Sequence, residues 1–491
     1  MLCITGAERT VDGLKERLTR HPQAELLEIR LDLLDEPLSS LSLLDVDPRR
    51  LVVACHPERE GGGYSGDEGE RLRYLEDLLT ERPGWIDIEM SCEESRRDRI
   101  IEAARKLGVK VLVSHHEPEV ASSFQARAIA ALLSATGGDA VKLSMPVSDA
   151  AELDPLLQIG QRAMLPMVLL GTGTAGLLSQ ALYNRFGSFM TYVASRAGDE
   201  TYVGQLALEH FRILRVPPGK ETSLYVLLGG SQVMSSPGPR AYNHLFMSRG
   251  IDACYLPVIT RKPAETLYLL KALGLSGANV AMPLKQQVAP MMDVLGKKAS
   301  AAAVVNTITV DSEGQLCGSL TEGRGAVMAL QKASGSLSGK RAVILGTGAT
   351  AAAIAQSLVA AGVHVTILGR DRNRTDVLAK RFGAKSGHLN ELHSVPFDLL
   401  VQTTPVGTTD TDATLVEYRR LLAGKVVLDV VLSEQETRLM RETREARGTA
   451  VSGSMLWAEQ SCLQLERWFS LNLPAGELEA ELTGTGYTSS G

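Results

Sequence analysis

Lys142 sits in the run "DAVKLSMP", Asp139–Pro146, with apolar residues on both sides of it. Burial disfavours the charged form of an amine, and a neutral lysine amine adds to a ketone to form a Schiff base. The other reading is a strand lysine whose ammonium reaches water at a rim. His116 ends the preceding run, "KVLVSHH". There it lies beside Lys142 on the same face and can move protons near neutral pH. Glu89 in "WIDIEM" is one run earlier and is placed to orient that imidazole. Glu28 and Arg30 alternate by two in "LLEIRLDLL", so both point to one side of a strand. They read as substrate contacts or as an interior ion pair.

The C-terminal half offers a different chemistry. "GTGATAAA", Gly346–Ala353, follows the apolar run "AVIL" and opens a helix-like stretch. Glycines let the backbone approach a pyrophosphate, and a helix N-terminus favours its charge. Gly346, Thr347, Gly348, Ala349 and Thr350 are therefore expected at a dinucleotide. The next apolar run, "HVTIL", ends in "GRDRNR" without the acid that binds an NAD ribose. Arg370 and Arg374 instead offer positive charge to a 2′-phosphate, so NADP is the expected cofactor, although Asp371 stands between them. The other reading of this basic cluster is a solvated loop. Lys285 in "GANVAMPLK" reads, taken alone, as a loop lysine.

These residues need elements to hold them. The runs "LCITG", "LLEIRLDLL", "RLVVACH", "WIDIEM", "KVLVSHH", "AVKLSM", "MLPMVLLG" and "SFMTYVAS" alternate with polar or amphipathic segments. Eight such units predict a (β/α)8 barrel, with polar residues at strand ends facing the active-site mouth. "RVPPGKETS" reads as a linker. Beyond it, "SLYVLLGG", "ACYLPVI", "GANVAMP" and "VVNTITV" predict a second α/β block, and "KRAVILGTGATAAAIAQSLVAAGVHVTILGR" predicts a Rossmann βαβ unit. The expected division is a barrel over 1–215, a linker over 216–222, a substrate lobe over 223–335 and a nucleotide lobe over 336–452. A helix over 453–475 would return to the substrate lobe, and 476–491 would form a flexible tail.

Composition narrows the function classes. The chain has 491 residues, 44% of them hydrophobic and 22% charged, as in a globular enzyme. A net charge of -6 argues against nucleic acid or an anionic membrane as partner. The six cysteines are scattered without a CxxC pair, which suits reduced thiols in a cytoplasm and neither a disulfide framework nor a zinc site. No basic segment and apolar stretch open the chain, and no apolar run is long enough to span a bilayer.

"EIRLDLL", "DIE", "SHHE" and "VKLSMP" together resemble type I 3-dehydroquinate dehydratase, over roughly 1–215. The resemblance implies that Lys142 forms a Schiff base with the C3 ketone of 3-dehydroquinate. It implies that His116 takes the C2 proton and returns one to the leaving hydroxyl, and that Glu89 holds this histidine. Glu28 and Arg30 would contact the substrate. The iminium is the electron sink, so no metal is expected. Thr201 and Gln205 in "TYVGQ" match a substrate lid. His56 and Gln180 stand where the family has arginines that hold the anionic substrate.

"GANVAMPLK", "VVNTITV", "DLLVQTTPVG" and "GSMLWAEQ" resemble shikimate dehydrogenase, over roughly 223–475. The resemblance implies Lys285 as the catalytic lysine and Asn306, Gln460 and Ser236 as substrate contacts. Thr404 and Gly453 would join the cofactor-binding residues. Glu322 takes the place of the aspartate that partners the lysine, and Gly238 and Ala281 replace hydroxyl side chains. The domain order matches the bifunctional enzyme of plants and chlamydiae. The expected function is thus dehydration of 3-dehydroquinate followed by NADPH-dependent reduction of 3-dehydroshikimate, in a cytoplasmic monomer or homodimer. Two other readings stand beside it: a quinate- or shikimate-sensing regulator with degraded sites, and a dehydratase fused to a dehydrogenase altered toward quinate.

Overall fold

A computed structural model describes residues 1–214, 222–433 and 435–484. Eight strands open the chain: β1 (Leu2–Thr5), β2 (Leu26–Arg30), β3 (Leu51–Ala54), β4 (Trp85–Glu89), β5 (Lys110–His116), β6 (Ala140–Pro146), β7 (Met167–Thr172) and β8 (Thr191–Ala194). Each falls on one of the apolar runs. They form one parallel sheet in the order β7-β6-β5-β4-β3-β2-β1-β8. A bridge between Met167 and Ser188 draws its two edges together into a TIM barrel.

Register decides what the barrel presents. Glu89 pairs with Ser114, Ser114 with Lys142, and His116 with Ser144. Side chains alternate along a strand, so Asp87, Glu89, Ser114, His116, Lys142 and Ser144 all point to the interior. Below them Cys3, Leu26, Val52, Trp85, Leu112, Ala140 and Val168 form a packed apolar floor. The polar ring therefore sits on a dry base at the C-terminal ends of the strands, where the low dielectric strengthens its charge interactions.

The second sheet is mixed and runs β10-β9-β11-β13-β14-β12. Its strands are β9 (Ser223–Gly229), β10 (Ala253–Ile259), β11 (Leu275–Val280), β12 (Val294–Leu295), β13 (Thr307–Val310) and β14 (Leu316–Ser319). The third sheet comprises β15 (Arg341–Leu345), β16 (His364–Gly369), β17 (Lys385–His388), β18 (Leu399–Gln402), β19 (Val426–Asp429) and β20 (Thr449–Val451). Its order, β17-β16-β15-β18-β19-β20, is all parallel and is that of a dinucleotide-binding Rossmann sheet.

The chain divides into two compact units, Met1–Leu224 with Ile251–Gly274, and Tyr225–Gly250 with Leu275–Gly491. The expected linker lies outside the described residues apart from Thr222. The stretch expected as a flexible tail begins instead in a helix, Ala475–Gly484, anchored by the buried side chains of Ala475 and Leu478. Residues 485–491 lie outside the described residues.

Within the second unit, the helix Glu322–Ser334 is pinned on two sides by glycines. A Cβ on Gly323 would lie 2.1 Å from the Ala353 carbonyl oxygen, and one on Gly325 would lie 2.8 Å from the Gln460 backbone nitrogen. Only glycine admits backbone this close. The result sets Glu322 against Thr350 on the helix Ala349–Ala360.

Candidate active sites

The barrel holds a cavity of about 360 Å³, lined in part by Glu28, Arg30, His56, His116, Lys142 and Thr201. Lys142 Nζ donates to Asp87 Oδ2 at 2.5 Å, and both side chains are buried. Burial alone would lower the lysine pKa, as the sequence suggested. The Asp87 and Glu28 carboxylates and the hydrogen bond outweigh it, and Lys142 is raised above its ordinary value. The resting amine is thus an ammonium rather than the neutral nucleophile expected. Asp87 is lowered in turn, because the Lys142 charge and the hydrogen bonds Asp87 receives outweigh the burial that raises it.

His116 Nδ1 is 2.8 Å from Ser144 Oγ, and its Nε2 is buried without a hydrogen-bond partner. Burial first, then the charge of Lys142, holds its pKa well below the ordinary histidine value. The ring is neutral and presents one nitrogen for chemistry. Glu89 does not hold it, contrary to expectation. Glu89 Oε1 lies 2.6 Å from His56 Nδ1, and Glu89 Oε2 lies 2.6 Å from Arg71. Strand parity put Glu89 on the right face, but a guanidinium rising from the helix Glu68–Leu79 claims its carboxylate.

Glu28 and Arg30 do not pair with each other. Glu28 accepts from Thr5 Oγ1 at 2.5 Å, and Arg30 makes two bonds to Asp32, at 2.9 and 2.6 Å. Burial raises the Asp32 carboxyl, but the Arg30 hydrogen bonds and charge outweigh it and bring it to about 2. Gln180, expected at the substrate, is fully buried and holds the backbone on either side of Gln205. Its amide donates to the Gly204 carbonyl at 2.9 Å and accepts from Leu206 N at 3.0 Å. Gln205 is also buried, and its Oε1 accepts from Thr201 N at 2.8 Å. Two polar residues of the site escaped the sequence reading. Asp87 shares the parity of Glu89, a signal that was readable. Glu60 lies on a loop and reaches the His116 backbone N at 3.1 Å, which no strand pattern could foretell. Burial raises its pKa, against a lowering bond from Ser91.

In the second unit Lys285 Nζ lies 2.8 Å from both oxygens of Glu322 and 3.3 Å from Thr350 Oγ1. Thr350 also donates to Glu322 at 3.1 Å, so this residue, expected at the cofactor, braces the lysine–glutamate pair. Asn306 is locked at both ends of its amide on Thr321, at 2.9 and 2.7 Å. Ser236 Oγ accepts from Gly238 N at 3.2 Å. Gln460 lies on the helix Gly453–Phe469. On that helix Gln464 accepts from the Tyr242 hydroxyl at 2.5 Å and donates to Thr307 at 3.2 Å.

Residues 2–214 match the family described as type I 3-dehydroquinase. Residues 228–308 match the shikimate dehydrogenase substrate binding domain, and 328–406 match shikimate / quinate 5-dehydrogenase. A shikimate dehydrogenase (NADP(+)) of Pyrococcus abyssi is 33% identical over 241 residues, which cover 49% of this chain and 89% of that protein. The chain belongs to the shikimate dehydrogenase family. Ahead of that family's domains it carries a type I 3-dehydroquinase domain. The bifunctional 3-dehydroquinate dehydratase/shikimate dehydrogenase of Arabidopsis thaliana, named as chloroplastic, is 28% identical over 479 residues, covering 92% of this chain and 78% of its own. A shikimate dehydrogenase crystallised with NADP+ is 26% identical with a TM-score of 0.51, covering 55% of this chain and 98% of that one. The chain is a bifunctional dehydratase and shikimate dehydrogenase of the shikimate pathway.

The dehydrogenase half fits its dinucleotide, NADP. Gly346 follows β15 at φ +119°, and a Cβ there would lie 2.6 Å from Thr403 Oγ1, just beyond β18. This is the switch point of the sheet, where such ligands bind. Gly348 caps the helix Ala349–Ala360 and has no atom within 4 Å of where its Cβ would stand. Thr347 packs over Gly369 at the end of β16, and Arg370 and Arg374 are exposed beyond it. Asp371 is engaged as a helix cap, accepting from Arg374 N at 3.1 Å. Thr404 Oγ1 donates to the Gln402 side-chain oxygen at 2.8 Å, and Gly453 abuts the Val431 backbone carbonyl. Among the described residues no helix is long and apolar enough to cross a membrane.

Proposed function

We propose that Lys142 is the amine that carries the dehydration. It adds to the C3 ketone of 3-dehydroquinate and loses water to give an iminium. His116 Nε2 removes the C2 proton, and the electron pair moves into the iminium. The same nitrogen returns the proton to the departing C1 hydroxyl, which leaves as water. Hydrolysis then frees 3-dehydroshikimate and the amine. The carrying observation is the buried, unpartnered His116 Nε2 beside Lys142 in one cavity. Thr201 and Gln205 support a lid over it.

In the second half, Lys285 places a proton at the carbonyl oxygen of 3-dehydroshikimate, and Glu322 holds that ammonium in position. Asn306, Ser236 and Gln460 are the proposed hydroxyl and carboxylate contacts. Bound NADPH supplies the hydride. Arg370 and Arg374 are the proposed contacts of its 2′-phosphate. The reading includes a monomer or homodimer acting in a reducing cytoplasm, supported by cysteines that are all free and, except Cys317, all buried. The test is the intact mass of the chain after borohydride treatment with 3-dehydroquinate. A reduced adduct mapped to Lys142 and absent in Lys142→Ala is the expected result; no adduct would overturn it.

A further inference from the structure

The Schiff-base reading leaves one step without a residue. Lys142 rests as an ammonium on Asp87, and an ammonium has no lone pair to add to a ketone. Its proton has to leave first. His116 is reserved for C2, and its pKa is held low by burial and by the Lys142 charge. Asp87 can receive the proton only in passing, because its own carboxyl is held low while Lys142 is charged.

His56 has the missing geometry. Its Nδ1 is 2.6 Å from Glu89, and a carboxylate only accepts, so Nδ1 carries a hydrogen. In the neutral ring the lone pair is then on Nε2. That nitrogen is 3.9 Å from Asp87 Oδ2, the same oxygen that holds Lys142. One bridging water or about 1 Å of movement closes the gap. The ring also stands 4.8 Å from that of His116 and borders the cavity.

We infer that His56 is the base that frees the Lys142 amine for its attack on the substrate ketone. An Nζ–H bond breaks, the proton passes over Asp87 Oδ2, and an Nε2–H bond forms on His56. The lone pair stays on Nζ, and the site's net charge is unchanged. The imidazolium is stabilised by Glu89, itself fixed by Arg71. It then faces the cavity as a cation. An anionic substrate thus meets a positive charge at the moment the nucleophile is released. The other charged groups facing this exchange are Glu28 and Arg30 on β2, Asp32 just after it, His116 on β5 and Glu60 on the mouth loop. Arg30 is spent on Asp32 and Arg71 on Glu68 and Glu89, which leaves His56 to move the charge.

The inference rests on the Schiff-base reading, and the experiment separates the two. The rate of borohydride-trapped adduct at Lys142 is measured against pH in the full chain, for wild type, His56→Gln and His56→Arg. Urea unfolding followed through Trp85, in the barrel core, reports intact folding of each variant's barrel. In His56→Gln, trapping at pH 7 is expected to fall about 100-fold, and its rising limb to move alkaline by at least about one pH unit. His56→Arg is expected to recover the KM for 3-dehydroquinate but not the trapping rate. A wild-type adduct with an unmoved His56→Gln profile overturns the inference alone. No wild-type adduct overturns the Schiff-base reading and the inference with it.

Discussion

Lys142 Nζ and Asp87 Oδ2 stand 2.5 Å apart on strands that are not neighbours, β6 and β4, with Ser114 on β5 between them. The pair sets the charge of the proposed nucleophile. Replacing Asp87 by Asn removes the largest force raising the lysine pKa and leaves burial to lower it. The amine is then neutral at lower pH. The expected result is that the rising limb of adduct trapping moves acid by about one to three pH units, with slower turnover because the shuttle is broken.

The same pair gives a stability prediction. Its folded lysine pKa lies above the unfolded 10.5. The stabilisation is therefore complete below pH 10.5 and lost as pH rises through the folded value. Lys142→Met strands the Asp87 charge in a dry barrel and should cost about 3 kcal/mol at pH 7, measured by urea unfolding followed through Trp85, the one tryptophan of the barrel. Combining it with Asp87→Leu should recover much of that loss.

Gln180 fixes the lid by bonding backbone on both sides of Gln205. Gln180→Ala should raise the KM for 3-dehydroquinate by about tenfold, the loss of roughly 1.4 kcal/mol from two bonds, and open the 201–205 loop to protease. Gln180→Arg adds a cation but cannot accept from Leu206 N. It should worsen the KM, and a tighter KM would show that this side chain reaches the anion.

Glu322→Gln removes the charge that holds Lys285 at 2.8 Å. Shikimate oxidation should fall by about 100-fold in kcat, while dehydratase turnover of the same chain is unchanged. Arg370→Ala with Arg374→Ala should raise the KM for NADP about tenfold through lost exposed charge and leave the KM for NAD as it was.

The sequence carried the barrel because each strand falls on a run of apolar residues, and in runs such as "AVKLSM" the polar residues that break it share one parity. Its motifs named His116, Lys142, Lys285 and Glu322, and the structure brings the first two to one cavity and pairs the other two. It misjudged the charge of Lys142 because chain neighbours are apolar while the deciding carboxylate is two strands away. It misassigned Glu89 because parity names a face and not a partner, and Arg71 arrives from a helix. Gln180 looked like a substrate contact because the sequence hides that the lid's own backbone fills its amide.

The glycines at 323 and 325 bear on how firmly the second site holds its acid. With backbone touching backbone at both positions, the helix that begins at Glu322 has no slack along which to retreat. The reach of both Glu322 oxygens to 2.8 Å from Lys285 is then set by side-chain torsion alone. Adjustment at this position belongs to rotamers and not to the helix.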